Sequence, residues 1–137
     1  MVRPENVQSK LAGLRRYLDL LDRLRMKPMS EIRADPFLIG ALERYLFLAA
    51  QASIDLAEQM CALKALGRVG SMAQGFEILG SAGVIPVDLA TSLRGVVGFR
   101  NALAHGYENL DPRIIDEVVS VRLGELRQFA ELVERAL

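Results

Sequence analysis

The sequence predicts an all-α fold, an up-and-down bundle of about four to five helices. Apolar residues recur at the three- and four-residue spacings of amphipathic helices, and no segment sustains the alternation typical of a β-strand. Capping residues, prolines and glycines divide these segments where helices begin and end. Because 137 residues suffice for one hydrophobic core, we expect a single helical domain over residues 1–137.

The first predicted helix carries a narrow apolar stripe, which is able to pack inside the domain or against a second chain. The stripe consists of Val7, Leu11, Leu14, Leu18 and Leu21. The helix should end near Lys27-Pro28, because proline excludes the preceding residue from comfortable helical geometry.

The second predicted helix is the longest and begins at Asp35-Pro36, a capping aspartate followed by proline at the first helical position. It should run to about Leu66, with Gly67 as its stop. Charged residues interrupt its apolar character, so we expect a central core helix and no membrane span. Glu43, Arg44 and Asp55 either lie at the edge of a cleft or simply face solvent. Glu43, Gln51 and Asp55 fall at spacings of eight and four, so they are able to share one polar stripe of the helix.

Three further helices are predicted in the second half of the chain. The segment Ser71-Met72-Ala73-Gln74 fits a capping box before a short helix. Pro86 should open a helix that continues to His105, and Asp111-Pro112 repeats the Asp-Pro start for the last helix. The apolar side of that last helix consists of Ile115, Val118, Val119, Leu126, Phe129 and Val133.

Composition excludes several classes of protein. The single cysteine, Cys61, has no partner for an internal disulfide, and no Cys/His cluster has zinc-ligand spacing. We therefore predict no metal site, no cofactor and a reducing, cytoplasmic location. Residues 1–10 lack the apolar core of a signal peptide. The formal net charge is zero, although basic residues outnumber acidic ones eight to four over residues 1–33. That excess suits an RNA backbone or a solvated helix face.

The only histidine, His105, lies in a run of residues suited to phosphate chemistry. Asn101 precedes it by four positions and therefore shares its helical face. Arg100 lies about 140° around an ideal helix from it, so the arginine must bend toward the imidazole or meet the histidine of a second copy. A symmetric dimer of these helices would form a cleft with two arginines and two histidines. Tyr107 follows the expected helix stop at Gly106.

These side chains suit the cleavage of RNA without a metal ion. A neutral imidazole accepts the 2′-hydroxyl proton, and its protonated form donates one to the leaving 5′-oxygen. The Arg100 guanidinium offers bidentate donors to phosphate oxygens, and the Asn101 amide is able to orient the histidine or the phosphate. A histidine in the last turn of a helix also occurs where there is no site, because the helix dipole favours its cationic form.

The stretch from Arg100 to Tyr107 resembles the Arg-x-x-x-x-His-x-Tyr signature of the HepT-like toxins, in the HEPN superfamily of small helical RNases. The similarity extends over nearly the whole chain. The long helix that begins at Asp35-Pro36 resembles the second helix of that family. Ile85-Pro86 before the motif helix and Asp111-Pro112 at the start of the last helix match its layout.

The resemblance implies a HEPN-like bundle that dimerises and acts as a metal-independent endoribonuclease. It would be the toxin of a type VII toxin–antitoxin pair, with tRNA as the expected substrate. Arg100 and His105 would be catalytic, with Asn101 in support, in a cleft between the motif helices of two protomers. The implied partner is an MntA-like minimal nucleotidyltransferase antitoxin that transfers AMP to Tyr107. The added charge and bulk would repel and obstruct an RNA backbone.

Two other readings of the sequence are open. In one, the chain is a non-catalytic helical module that docks on a nucleotidyltransferase and holds a nucleotide through Arg100, Asn101 and Tyr107. In the other, it is a structural helical protein in which His105 only ends a helix. Growth arrest on expression would favour the ribonuclease, and a monomer in solution would favour the structural protein.

Overall fold

The all-α prediction is confirmed by the computed structural model, which describes residues 2–105 and 111–137. Within these residues there are seven α-helices, one π-helical turn and no β-strand. The helices are α1 (Pro4–Leu24), α2 (Met29–Ala34), α3 (Pro36–Leu63), α4 (Gln74–Ser81), α5 (Val87–His105), α6 (Pro112–Glu117) and α7 (Leu123–Ala136). The π-helical turn (Val118–Arg122) joins α6 to α7. Four helices are long and form the bundle: α1, α3, α5 and α7.

Helix α3 is the core of the bundle and contacts α1, α2, α4, α5 and α7. It begins as predicted, with the Asp35 carboxylate accepting a hydrogen bond of 2.9 Å from the Phe37 N–H. By length and composition alone it could span a membrane. Its burial among the other helices explains that apolar character, because Leu42, Leu46 and Leu56 are almost completely enclosed by the protein.

The apolar stripe of α1 packs inside the domain, mainly against α3. All five of its predicted members are buried, and α7 also packs against this helix. Between α1 and α3 lies α2, a six-residue helix that the sequence pattern did not reveal. Its Arg33 bonds to the Pro112 carbonyl oxygen and to Asp116, so this short helix ties α3 to the start of α6.

Two predicted helix boundaries are wrong. The capping box at Ser71 does not form, because α4 begins at Gln74 with Ala73 as its N-cap residue. The Gln74 side chain instead accepts a hydrogen bond from the Gly70 N–H. Helix α3 ends at Leu63 and not at Leu66, since Ala65 already adopts a left-handed backbone conformation with φ of 53°.

The C-terminal segment has a correct start and an unforeseen interruption. The Asp111 carboxylate caps α6 by accepting from the Arg113 N–H at 2.9 Å. The predicted single helix is then divided by the π-helical turn. Its predicted apolar side is buried throughout. The rings of Phe129 and Phe76 meet edge to face, with 5.4 Å between centroids, and so join α7 to α4.

Candidate functional site

Arg100 lies at the contact between α5 and α3, where the buried face of α5 fixes its position. Phe99 directly before it and Leu103 three positions after it are buried, and the half-buried Arg100 side chain reaches Gln51 on α3. This location results from the helical period, because residues next to a core position lie at the edge of the buried face.

The guanidinium of Arg100 is held by three neighbours. Its Nε donates to the Gln51 Oε1 at 2.8 Å, and its Nη1 donates to the Asn101 Oδ1 at 3.2 Å. Its Cζ lies 5.2 Å from the centroid of the Phe47 ring, within cation–π range. Its Nη2 donates to no other described residue, so the N–H groups of this nitrogen are able to bond to an anion.

Gln51 is itself part of a polar relay that crosses three helices. Its Nε2 donates to the Asp55 Oδ1 at 2.9 Å. The other carboxylate oxygen of Asp55 lies 3.4 Å from the Lys10 Nζ on α1. Lys10, Gln51 and Asp55 also line a groove of about 290 Å³ between α1 and α3. The relay therefore connects Arg100 on α5 with both helices that border this groove.

His105 is the last residue of α5 and its side chain is exposed. The hydrogen bonds that Arg100 makes within the described part of the chain go to Gln51 and Asn101, and none goes to His105. The structure of one chain thus brings Arg100 and Asn101 together and leaves the imidazole open to solvent. Tyr107 and the expected helix stop Gly106 lie outside the described residues.

The other polar residues predicted on α3 divide into two groups. Asp55 contacts Gln51, as described above, whereas Arg44 is exposed and places its Cζ 5.7 Å from the centroid of the Phe47 ring. One ring therefore has two guanidinium groups within cation–π range. Glu43 is half-buried, and this burial raises the pKa of its carboxyl group.

Two side chains at the site, Phe47 and Gln51, received no role from the sequence. Both lie on α3 at the four-residue spacing that also contains Asp55, so they share one face of that helix. The spacing of an aromatic, an amide and a carboxylate was visible in the sequence. The sequence did not show that this face of α3 contacts Arg100.

The described residues contain no group of three His, Cys, Asp or Glu side chains close enough to hold a metal ion. The groups assembled at the site are instead a guanidinium, two amides and an aromatic ring, with an exposed imidazole at the end of the same helix. Such a set binds an anion through hydrogen bonds and charge, and an imidazole is a side chain that transfers protons in catalysis.

Comparison with known proteins identifies relatives that span the chain. The family profile described as Ribonuclease HepT-like matches residues 14–133. The chain is 27% identical over 141 residues to the tRNA nuclease HepT of Aphanizomenon flos-aquae, which covers 99% of this chain and 92% of that protein. It is 25% identical over 126 residues to the mRNA nuclease HepT of Shewanella oneidensis, which covers 92% of this chain and 94% of that protein.

Solved structures have the same fold. One is a tri-AMPylated Shewanella oneidensis HEPN toxin in complex with MNT antitoxin, with a TM-score of 0.84 and 25% identity, covering 94% of this chain and 96% of that chain. Another is the cytosolic protein YutE of Bacillus subtilis, with a TM-score of 0.85 and 18% identity, covering 99% of this chain and 91% of that chain. At that lower identity the likeness concerns the fold alone.

Proposed function

The chain belongs to the Ribonuclease HepT-like family, and from this premise we propose that it is the endoribonuclease toxin of a type VII toxin–antitoxin pair. It cuts RNA in the cytoplasm without a metal ion, and tRNA is the substrate we expect. The observation that supports this most strongly is the state of Arg100. The guanidinium is held by Gln51, Asn101 and Phe47, and in the part of the chain that the structure describes its Nη2 donates to no other residue, which suits a phosphate.

The proposed reaction needs only the side chains of the motif. His105 accepts the proton of the RNA 2′-hydroxyl, whose oxygen attacks the adjacent phosphorus. The bond from phosphorus to the 5′-oxygen breaks, and a protonated imidazole supplies the proton to that leaving oxygen. Arg100 donates to the non-bridging oxygens as negative charge develops on them, and Asn101 supports the arginine.

A second copy of the chain completes the proposed site. Arg100 turns toward α3 and makes no hydrogen bond to the His105 of its own chain, among the described residues. A homodimer that pairs the ends of two α5 helices would place two arginines and two imidazoles around one cleft. RNA would be held there by local contacts, because the chain has a formal net charge of zero.

The proposed partner is a minimal nucleotidyltransferase antitoxin that attaches AMP to Tyr107. The tri-AMPylated HEPN toxin described above, bound to its MNT antitoxin, supports this proposal. Tyr107 follows the motif histidine by two positions, so an adenylate on its hydroxyl would lie at the mouth of the cleft. Its phosphate would repel an RNA backbone by like charge.

The test is RNA cleavage by the purified protein in EDTA, with total tRNA and an mRNA transcript offered in separate reactions. Mass spectrometry first establishes that Tyr107 carries no AMP. We expect cleavage by the wild type and loss of at least about a hundredfold in Arg100→Ala and His105→Ala, since each lacks a group that acts in the transition state.

Arg94→Ala is the matched control. Arg94 lies on the same helix, is exposed and pairs only with Glu77 at 3.4 Å among the described residues, so its loss should leave cleavage intact. Wild-type protein that is free of AMP and cuts neither RNA would contradict the proposal. It would favour the nucleotide-binding module, which the same sample would test by binding of ATP.

A further inference from the structure

In the relay from Lys10 through Asp55 and Gln51 to Arg100, each side chain orients the next one. We propose that Gln51 is a positioning residue that fixes the Arg100 guanidinium for the RNA phosphate, and that Asp55 fixes the orientation of Gln51. This inference rests on the proposed ribonuclease function and extends it to α3, a helix that carries none of the motif residues.

Arg100 uses only some of its N–H donors within the described residues. A guanidinium has five N–H donors in a rigid plane. Within residues 2–105 and 111–137, two of these are used, one by Gln51 and one by Asn101, and three donate to no other described residue. The Arg100 Cζ also lies 5.2 Å from the Phe47 ring centroid, so α3 restrains the guanidinium through both a hydrogen bond and a cation–π contact. The remaining donors point in a defined direction before RNA arrives.

The two ends of the Gln51 side-chain amide face different partners. A side-chain amide has an oxygen that only accepts and a nitrogen that only donates. The Asp55 carboxylate only accepts when ionised, so it must face the amide nitrogen, as observed at 2.9 Å. The amide oxygen is therefore turned toward the Arg100 Nε, at 2.8 Å. The Lys10 Nζ lies 3.4 Å from the second oxygen of Asp55 and so restrains that carboxylate from the side of α1.

Restraint of the Arg100 side chain has a consequence for catalysis. An unrestrained arginine would lose several rotamers when it binds a phosphate, and that loss would weaken the interaction. An arginine already held by α3 has lost them on folding. Small displacements of a group that stabilises transition-state charge lower the rate steeply, by up to about a hundredfold for about 1 Å. Gln51 should therefore affect kcat more than KM.

The test compares Gln51→Leu with Gln59→Leu. Both replace a glutamine of α3, but Gln59 has no hydrogen bond to Arg100, so it controls for helix and stability effects. We expect Gln51→Leu to lower kcat by about 10–100-fold with little change in KM, because a displacement of the guanidinium by about 1 Å costs up to about a hundredfold. Asp55→Asn allows the Gln51 amide to turn round, because an amide neighbour also donates, and should cause a smaller loss.

A second readout reports on the contact without any need for activity. The ¹⁵N–¹H signal of the Arg100 Nε, assigned by its absence in Arg100→Lys, should be protected from exchange with water in the wild type and in Gln59→Leu. Protection should be lost in Gln51→Leu and reduced in Asp55→Asn. Loss of both protection and kcat in Gln51→Leu supports the proposal, whereas lost protection with unchanged kcat overturns it.

Failure of the proposed function is distinguishable from failure of this inference. If the wild type does not cut RNA, the proposed function fails, and the relay is judged by the exchange measurement and by affinity for a 2′-O-methyl RNA oligonucleotide. Weaker binding and lost protection in Gln51→Leu would support positioning for a phosphate. Unchanged protection of the Nε–H in Gln51→Leu would overturn the inference whatever the activity.

Discussion

The tight contact between Gly80 of α4 and Ala90 of α5 allows a prediction with a defined magnitude. A Cβ atom added to Gly80 would lie 2.6 Å from the Cβ of Ala90, and its next neighbour, the Val87 Cα, is already 3.8 Å away. Carbon atoms pack at about 3.5–4.0 Å, so Gly80→Ala must separate the two helices by about 1 Å. Overpacking of this kind costs about 1–3 kcal/mol. The better helix propensity of alanine offsets at most about 1 kcal/mol of this destabilisation.

The clash involves one methyl group and is therefore open to compensation. Ala90→Gly alone should destabilise the protein, by about 1 kcal/mol for helix propensity and by about 0.8 kcal/mol for the buried methyl. In the double variant, the methyl of Gly80→Ala occupies the space that Ala90→Gly vacates. The two changes should then be coupled favourably by about 1–3 kcal/mol.

Urea denaturation of the four proteins, followed by far-UV circular dichroism, measures this coupling. Equal denaturant slopes in all four would establish that the free energies of unfolding are comparable. If the two single effects add to the double effect within about 0.3–0.5 kcal/mol, the close contact does not govern the packing of α4 on α5 and the reasoning fails.

Three further changes have defined outcomes. Gly95→Ala would place a Cβ 2.7 Å from the Nη2 of Arg122, the far end of a side chain that is able to shift, so weaker hydrogen bonds from Arg122 to Ser92 and the gain of about 1 kcal/mol in helix propensity should nearly cancel, and the melting temperature should change little. Arg100→Lys keeps the charge but loses the planar donors that bond to Gln51, so RNA cleavage should fall by at least about a hundredfold while the melting temperature is maintained. Burial raises the pKa of the Cys61 thiol to about 11. The unfolded thiol ionises first, so stability should fall by roughly 2–3 kcal/mol between about pH 9 and pH 11, and this fall should be absent in Cys61→Ala.

The long helices could be predicted because their signals are local. The Asp35-Pro36 and Asp111-Pro112 starts both form the expected caps, since a carboxylate and a following proline specify the same geometry wherever they occur. The six-residue α2 is too short to establish an apolar period. The capping box at Ser71 was wrong because the motif alone does not determine which residue becomes the N-cap.

The site could be predicted only in part, for a related reason. The motif gave Arg100, Asn101 and His105 as neighbours on one helix. The acceptor of the Arg100 Nε is 49 positions earlier, and its place opposite the arginine depends on how α3 packs on α5. The four-residue spacing of Gln51 and Asp55 was visible in the sequence and places both on one face of α3. It does not show which part of the protein packs against that face.

The choice of an amide next to Arg100 has a consequence for its charge. A carboxylate at position 51 would hold the guanidinium equally well, but it would neutralise the charge that a phosphate needs. Gln51 is neutral, and the nearest carboxylate of the relay, Asp55, is paired with Lys10. Among the described residues no carboxylate forms an ion pair with Arg100. In a chain with no net charge, this arrangement restrains the arginine and preserves a local positive charge for the RNA backbone.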